Sequence, residues 1–159
     1  MELTQDRVRE LFDYVDGELI YKVRRGPALV GEIAGCPRKD GYMNLCIDGK
    51  YYLLHRIVFL HCKGFLPEQV DHIDVNRSNN RIENLRAATA SDNQGNRNKY
   101  ASNKSGHKGV CWYKPAKKWM AQIKKHGRVT KIGLFDDLAE AALAYQVAAK
   151  RTHGDFARF

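Results

Sequence analysis

The sequence predicts an α+β protein made of two modules in series. Apolar residues recur at helical spacing over 4–15, over 54–63 and again from Leu138. Strand-like segments separated by turn residues occupy 18–54 and 107–135. With 159 residues, 43% of them hydrophobic, the chain is long enough for one ordinary domain or two small ones.

The first half is predicted to begin with a helix over 4–15 that Thr4 caps. A turn at Asp16-Gly17 then leads into a small antiparallel sheet, in which Asp48-Gly49 between two apolar runs predicts a hairpin. A second, shorter helix over 54–63 follows the sheet and ends where a glycine and a proline break the pattern.

The second half is predicted to form three strands and a helix. Alternation in the middle strand places Ala121 and Ile123 on one face and the more polar residues on the other. Asp137 is expected to cap the helix, with Glu140 three residues later completing a capping box. Many alanines in this helix allow it to lie close to the sheet.

Positive charge is concentrated in the second half of the chain. The net charge is +9, of which residues 1–102 carry +1 and residues 103–159 carry +8. Between Lys104 and Gly133 there are nine lysines and arginines and no acidic residue. Such an imbalance favours an acidic partner, and nucleic acid is the commonest one for a basic chain.

A group of polar residues between 71 and 93 carries the chemistry of phosphodiester hydrolysis, which needs an activated water and positive charge near the leaving oxygen. Asp71 and Asn93 offer hard oxygen ligands that suit Mg²⁺ or Mn²⁺. His72 is the expected general base, because a neutral imidazole suits that role near pH 7. Asn84 is expected to accept a hydrogen bond from this imidazole and fix its tautomer.

An asparagine-rich surface loop that only forms turns and caps is the alternative interpretation of this segment. It accounts for Asn76, Asn79 and Asn80, which we interpret as residues that shape the loop. It does not account for the aspartate–histidine pair and the two later asparagines occurring together.

Residues 55–98 resemble the HNH endonuclease family, in the branch found in phage and intron homing endonucleases. The resemblance lies in HRIVF at 55–59, VDHIDVNRSNNRIENLR at 70–86 and SDNQGN at 91–96. It implies a ββα-metal fold, in which two short strands and a helix surround a divalent ion. Many members have histidine where this chain has Asn93, which favours Mg²⁺ or Mn²⁺ over tightly held Zn²⁺.

The same resemblance assigns roles to individual residues. It implies that Asp71 and Asn93 are metal ligands, that His72 is the general base and that Asn84 orients this base. Supporting roles, in the fold of the active site or at the DNA phosphate, are expected for His55, Arg56 and Arg86. For Arg86 an ordinary surface role is an equal alternative.

The second half resembles the AP2 DNA-binding domain through GVCW at 109–112, KWMAQI at 118–123 and a motif that begins at Gly133 and ends at Tyr145. That resemblance implies a three-stranded antiparallel sheet in the major groove of DNA, backed by a helix. The DNA-facing residues that it implies by position are Trp112, Lys114, Trp119, Gln122, Lys124, Arg128 and Lys131. Core packing of one of the two tryptophans is the alternative for that residue.

The sequence as a whole predicts a nuclease domain over 1–98, a polar linker over 99–106 and an AP2-like domain over 107–159. The expected activity is metal-dependent hydrolysis of double-stranded DNA, by a nicking or homing-type endonuclease that acts as a monomer or weak dimer without a small-molecule cofactor. The alternatives are a DNA-binding transcriptional regulator without catalysis and a nuclease for RNA or for particular nucleic-acid structures.

Secretion and membrane insertion are not expected from the sequence. The N-terminal segment has no secretory signal, and no apolar run is long enough to span a bilayer. The four cysteines form no C-x-x-C pair and are expected to be reduced thiols. We expect a cytoplasmic protein, in the cytoplasm of the host cell if a phage encodes the chain.

Overall fold

The computed structural model describes residues 3–96 and 103–159, apart from the side chain of Gln94. Contacts divide the chain into two compact units, Met1–Ala88 and Thr89–Phe159. Both contain helices and small antiparallel sheets, as the α+β prediction requires. The first half of the predicted linker, 99–102, lies outside the described residues, and the predicted domain limits stay a prediction.

Helix α1, Gln5–Leu11, begins at Thr4, whose hydroxyl oxygen accepts a hydrogen bond from the Arg7 amide at 3.3 Å. The predicted helix is right to Leu11 and wrong beyond it, because β1 (Phe12–Val15) pairs with β2 (Glu18–Tyr21). Both residues of the intervening Asp16-Gly17 turn have positive φ, at 51° and 98°. The Asp16-Gly17 turn joins β1 to β2, and the pairing of these strands takes the place of the last turn of the predicted helix.

The second sheet of the first unit contains β3 (Cys36–Pro37), β4 (Met43–Ile47) and β5 (Lys50–Leu53), in that order. The predicted hairpin at Asp48-Gly49 is confirmed, since Ile47 pairs with Lys50 across it.

Helix α2, Leu54–Lys63, follows the sheet directly and ends at Gly64, as predicted. This glycine takes the left-handed conformation. One apolar core joins α1, α2 and the strands of this unit. Its largest fully buried side chains are those of Val8, Phe12, Leu19, Ile47, Ile57 and Val58.

A two-stranded antiparallel ribbon closes the first unit. It contains β6 (Gln69–His72) and β7 (Leu85–Ala88), which are connected by a polar loop that ends in a 3-10 turn at Ile82–Asn84. Val70 and Leu85 bury their side chains in the apolar core. The ribbon is thereby fixed to the rest of the unit on one face.

The second unit contains α3 (Ala90–Asn96), a sheet in the order β10-β9-β8, and helix α4 (Leu138–His153). The strands of this sheet are β8 (Val110–Tyr113), β9 (Lys118–Lys125) and β10 (Arg128–Phe135). The predicted cap of α4 is confirmed, since the Asp137 carboxylate accepts hydrogen bonds from the backbone of Ala139 and Glu140.

Close packing of α4 on the sheet depends on Gly109. A Cβ at this position would clash with the ring of Tyr145, so no other residue fits without moving that buried ring. The predicted division of β9 is confirmed as well, because Ala121 and Ile123 are buried beneath the helix.

Membrane-spanning helices and disulfides were considered in the described part of the chain. No helix in it is long and apolar enough to cross a membrane. All four cysteines are free thiols, of which Cys36 and Cys46 are exposed and the other two are half-buried.

Candidate active site

The register of the ribbon decides which side chains meet at the candidate site. Asp71 lies directly opposite Arg86, and His72 lies opposite Leu85. Because neighbouring residues of a strand point to opposite faces, His72 shares the buried face with Val70 while Asp71 points the other way.

Asp71 and Arg86 form an ion pair with little solvent exposure. The Nε and Nη2 atoms of Arg86 both donate to Oδ2 of Asp71, at 2.9 and 2.8 Å, and the two side chains are 17% and 12% exposed. Arg86 therefore orients the carboxylate. This contact replaces the surface role considered for Arg86, and contact with phosphate stays a prediction.

His72 is almost fully buried, with 4% of its surface exposed, and its Nε2 lies 3.0 Å from Oδ1 of Asn80. An amide oxygen only accepts hydrogen bonds, so Nε2 donates and the basic lone pair of the ring is on Nδ1. The sequence pattern predicts this orienting contact for Asn84 and a loop-shaping role for Asn80. The structure corrects that assignment, because Asn80 makes the contact.

Asn84 instead closes the loop between β6 and β7. Its amide nitrogen donates to Asp74 Oδ1 at 2.9 Å and to the Asn79 carbonyl at 2.8 Å, and its amide oxygen accepts from the Asp74 backbone. Burial raises the pKa of Asp74, but hydrogen bonds from Asn79 and Asn84 outweigh it and hold the pKa below its usual value. Val75 has a φ of 68°, which is unfavourable for a β-branched residue.

His55 supports the general-base candidate by packing. It is the second residue of α2, is 4% exposed, and its ring centre lies 4.8 Å from that of His72. Tyr42 packs against both rings, at 5.3 and 6.0 Å between centres. Burial lowers the pKa of His55 to about 3, with the nearby His72 and Arg56 acting in the same direction, so His55 is neutral near pH 7.

Arg56 also has a supporting role in the structure. Its guanidinium donates to the carbonyl oxygens of Pro67 and Glu68, at 3.1 and 3.0 Å. These contacts attach α2 to the segment that leads into β6. Contact of Arg56 with phosphate stays a prediction.

Asn93 belongs to the second unit, where it lies in the first turn of α3. Thr89 and Asp92 form a reciprocal cap at this helix start, since each side chain accepts a hydrogen bond from the other residue's backbone. The role of Asn93 as a metal ligand stays a prediction.

The predicted donor set has the chemistry that suits a hard divalent cation. Asp71 offers a carboxylate that Arg86 orients, and Asn93 offers an amide oxygen. Within residues 3–96 and 103–159 there is no cluster of three or more histidine, cysteine or acidic side chains that would hold a metal ion.

The register of the second unit divides the predicted DNA-facing residues between the two faces of the sheet. Gln122, Lys124 and Lys131 lie on the open face, away from α4. Trp112, Trp119 and Arg128 occupy the register positions of the helix-facing side, and Lys114 lies in the turn after β8. Their contact with DNA stays a prediction, but they do not form a single face.

The two tryptophans pack edge to face, with ring centres 5.1 Å apart. Trp119 contacts the apolar core of the second unit, which confirms the core-packing alternative for one of them. Trp112 is 47% exposed at the rim of the same side.

Residues 52–94 match the HNH endonuclease family. The matched segment includes α2, the β6–β7 ribbon and the start of α3, and therefore all four residues of the predicted catalytic set. Enzymes of this family cut DNA and generally use a divalent metal ion.

Two viral proteins are similar to this chain. Protein 3.8 of Escherichia phage T7 is 36% identical over 107 residues, which cover 66% of this chain and 88% of that protein. An uncharacterized HNH endonuclease of Acanthamoeba polyphaga mimivirus is 34% identical over 122 residues, or 75% of this chain and 62% of that protein. No solved structure matches. Residues 52–94 therefore form a domain of the HNH endonuclease family.

Burial of neutral His55 predicts a loss of stability in acid. The unfolded histidine has a pKa near 6.5 and the folded one near 3, so between these values only the unfolded state binds the proton. Stability therefore falls as the pH falls below 6.5, by up to about 1.4 kcal/mol per pH unit from this group.

Urea unfolding at pH 6.5 and pH 5 measures this effect. The wild type should lose roughly 2 kcal/mol more than His55→Gln, whose side chain does not titrate. Equal losses in the two proteins would contradict a neutral, buried His55.

Proposed function

We propose that this protein is a metal-dependent DNA endonuclease of the ββα-metal type, with one active site per chain that nicks one strand at a time. The observation that carries the proposal is the buried His72, held by Asn80 beside the Asp71–Arg86 pair, within the segment that matches the HNH family. A regulator that only binds DNA has no need of this arrangement.

The chemistry assigned to His72 follows from its tautomer. With Nε2 donating to Asn80, Nδ1 accepts a proton from the attacking water. The water oxygen forms a bond to phosphorus, the bond from phosphorus to the 3′ oxygen breaks, and the leaving oxygen takes a proton from solvent. Neutral His55 beside the base adds no positive charge that would disfavour proton uptake.

Asp71 and Asn93 are the residues proposed to hold Mg²⁺ or Mn²⁺. When bound, such a cation stabilises the negative charge that develops on the phosphoryl and leaving oxygens. Arg86 orients Asp71 for this purpose and keeps a positive charge next to it. Asn84 acts at a distance from the reaction, by closing the loop that brings Asn80 to His72.

The second unit is proposed to be an AP2-like module that holds double-stranded DNA. Its support is a three-stranded antiparallel sheet backed by α4, together with the excess of lysine. On the open face, the Lys131 ammonium lies 5.7 Å from the centre of the Tyr113 ring. Lysine reads guanine less well than arginine does, so this face is proposed to supply affinity more than base specificity.

Nicking of supercoiled plasmid tests the proposed chemistry. Wild-type protein with Mg²⁺ should nick, and EDTA should abolish the activity. His72→Ala should lose at least about 100-fold in rate, because general-base catalysis typically contributes that much, and should keep its affinity for DNA.

Asp71→Asn tests the ligand role with a nearly isosteric side chain. It should lose activity in Mg²⁺ while remaining folded, which circular dichroism would verify.

Two results of these nicking assays would contradict the proposal. Rapid cutting by His72→Ala would refute the general-base assignment. Tight DNA binding without any cutting by the wild type would favour the regulator.

The open face predicts where DNA affinity resides. The double variant Lys124→Ala/Lys131→Ala should bind DNA more weakly and reduce the salt dependence of binding by about two units of slope, one for each lost phosphate contact. Lys150→Ala/Arg151→Ala removes the same charge from the exposed end of α4 and serves as the control. Equal salt slopes in the two double variants would contradict an open-face interface.

A further inference from the structure

Arg77 is an exposed arginine whose side chain is held at two points. It lies in the loop between β6 and β7, and its Nη1 donates to the Asp40 carbonyl at 2.6 Å. Its guanidinium carbon lies 4.7 Å from the centre of the Tyr42 ring, in cation–π geometry. An arginine fixed in this way loses less conformational entropy when it binds a ligand.

The Tyr42 ring connects Arg77 to the candidate active site. The same ring also lies 6.0 Å from the His72 ring and 5.3 Å from the His55 ring, measured between centres. The guanidinium carbon of Arg77 is therefore no more than about 11 Å from the centre of the proposed general base.

The charge of Arg77 is not balanced in the described part of the protein. Other arginines near it have acidic partners: Arg38 pairs with Asp40, Arg81 with Asp16 and Arg86 with Asp71. Arg77 contacts a carbonyl oxygen and a ring, and forms no ion pair within residues 3–96 and 103–159. A guanidinium has five N–H donors, so most of them are available to an anion.

We propose that Arg77 binds a backbone phosphate of the DNA strand that is cut, with Tyr42 as the platform that positions it relative to His72. This inference rests on the proposed nuclease function. With a rise of roughly 3.4 Å per nucleotide, its distance from the base corresponds to about three nucleotides or fewer. Arg77 thus sets which bond of a bound strand reaches His72.

A structural brace is the competing role for Arg77. The hydrogen bond to the Asp40 carbonyl connects the loop between β6 and β7 to the turn between β3 and β4, and this connection alone would suffice for a brace. The two roles predict different effects of removing the side chain. Loss of a brace lowers the stability of the protein and kcat. Loss of a phosphate contact raises KM and makes KM insensitive to the charge of one DNA phosphate.

Steady-state nicking kinetics of the full chain separate these roles. Arg77→Ala should raise KM for DNA about tenfold, the size expected for a charge-assisted hydrogen bond, and change kcat much less. Arg81→Ala is the matched control, because Arg81 lies on the same loop and pairs with Asp16. A rise in KM as large for Arg81→Ala, or none for Arg77→Ala, would overturn the proposal.

A scan of neutral methylphosphonates through the cut strand locates the contact. In the wild type, one substitution within about three nucleotides of the cut should raise KM about as much as Arg77→Ala does, and the two changes together should add nothing further. Additive effects at every position would overturn the proposal while leaving the nuclease function intact. Failure of the wild type to nick any DNA would overturn both.

Discussion

The pairing of β6 with β7 is the constraint on which the candidate site depends. Its register sets Asp71 against Arg86 and turns His72 towards the buried face. A shift by one residue would exchange these faces, burying the carboxylate and exposing the imidazole. Val70 and Leu85 prevent that shift, since each would have to leave the apolar core. The apolar packing that stabilises the fold therefore also positions Asp71 and His72.

The loop between these strands adds a second level of order. Asn84 joins its two ends through Asp74, and this closure returns Asn80 to the His72 imidazole. The asparagines of the loop thus have two distinct roles, since most satisfy the backbone and side chains of a tight turn, whereas Asn80 fixes the tautomer of a buried histidine. The same loop presents Arg77 next to the Tyr42 ring, so binding and chemistry share one short segment.

Much of this structure can be predicted from the sequence, and the failures have physical causes. Caps and turn residues act locally, so the predictions for Thr4, Gly64 and Asp137 are confirmed. The last turns predicted for α1 are wrong because strand pairing of Phe12 with Tyr21 overrides helical periodicity. The contacts of Asn80 and Tyr42 depend on tertiary approach that no spacing in the sequence reveals. In the second unit, alternation places Ala121 and Ile123 correctly, but pairing across β8 and β9 is needed to place Trp112.

The central claim is that this site activates water for attack on phosphorus, and isotope labelling of the product tests it most directly. Nicking is carried out with Mg²⁺ in water labelled with heavy oxygen, and the new DNA ends are analysed by mass spectrometry. Hydrolysis predicts one heavy oxygen in the terminal phosphate of each cut. Cut ends with unlabelled phosphate would contradict water attack, and with it the role proposed for His72.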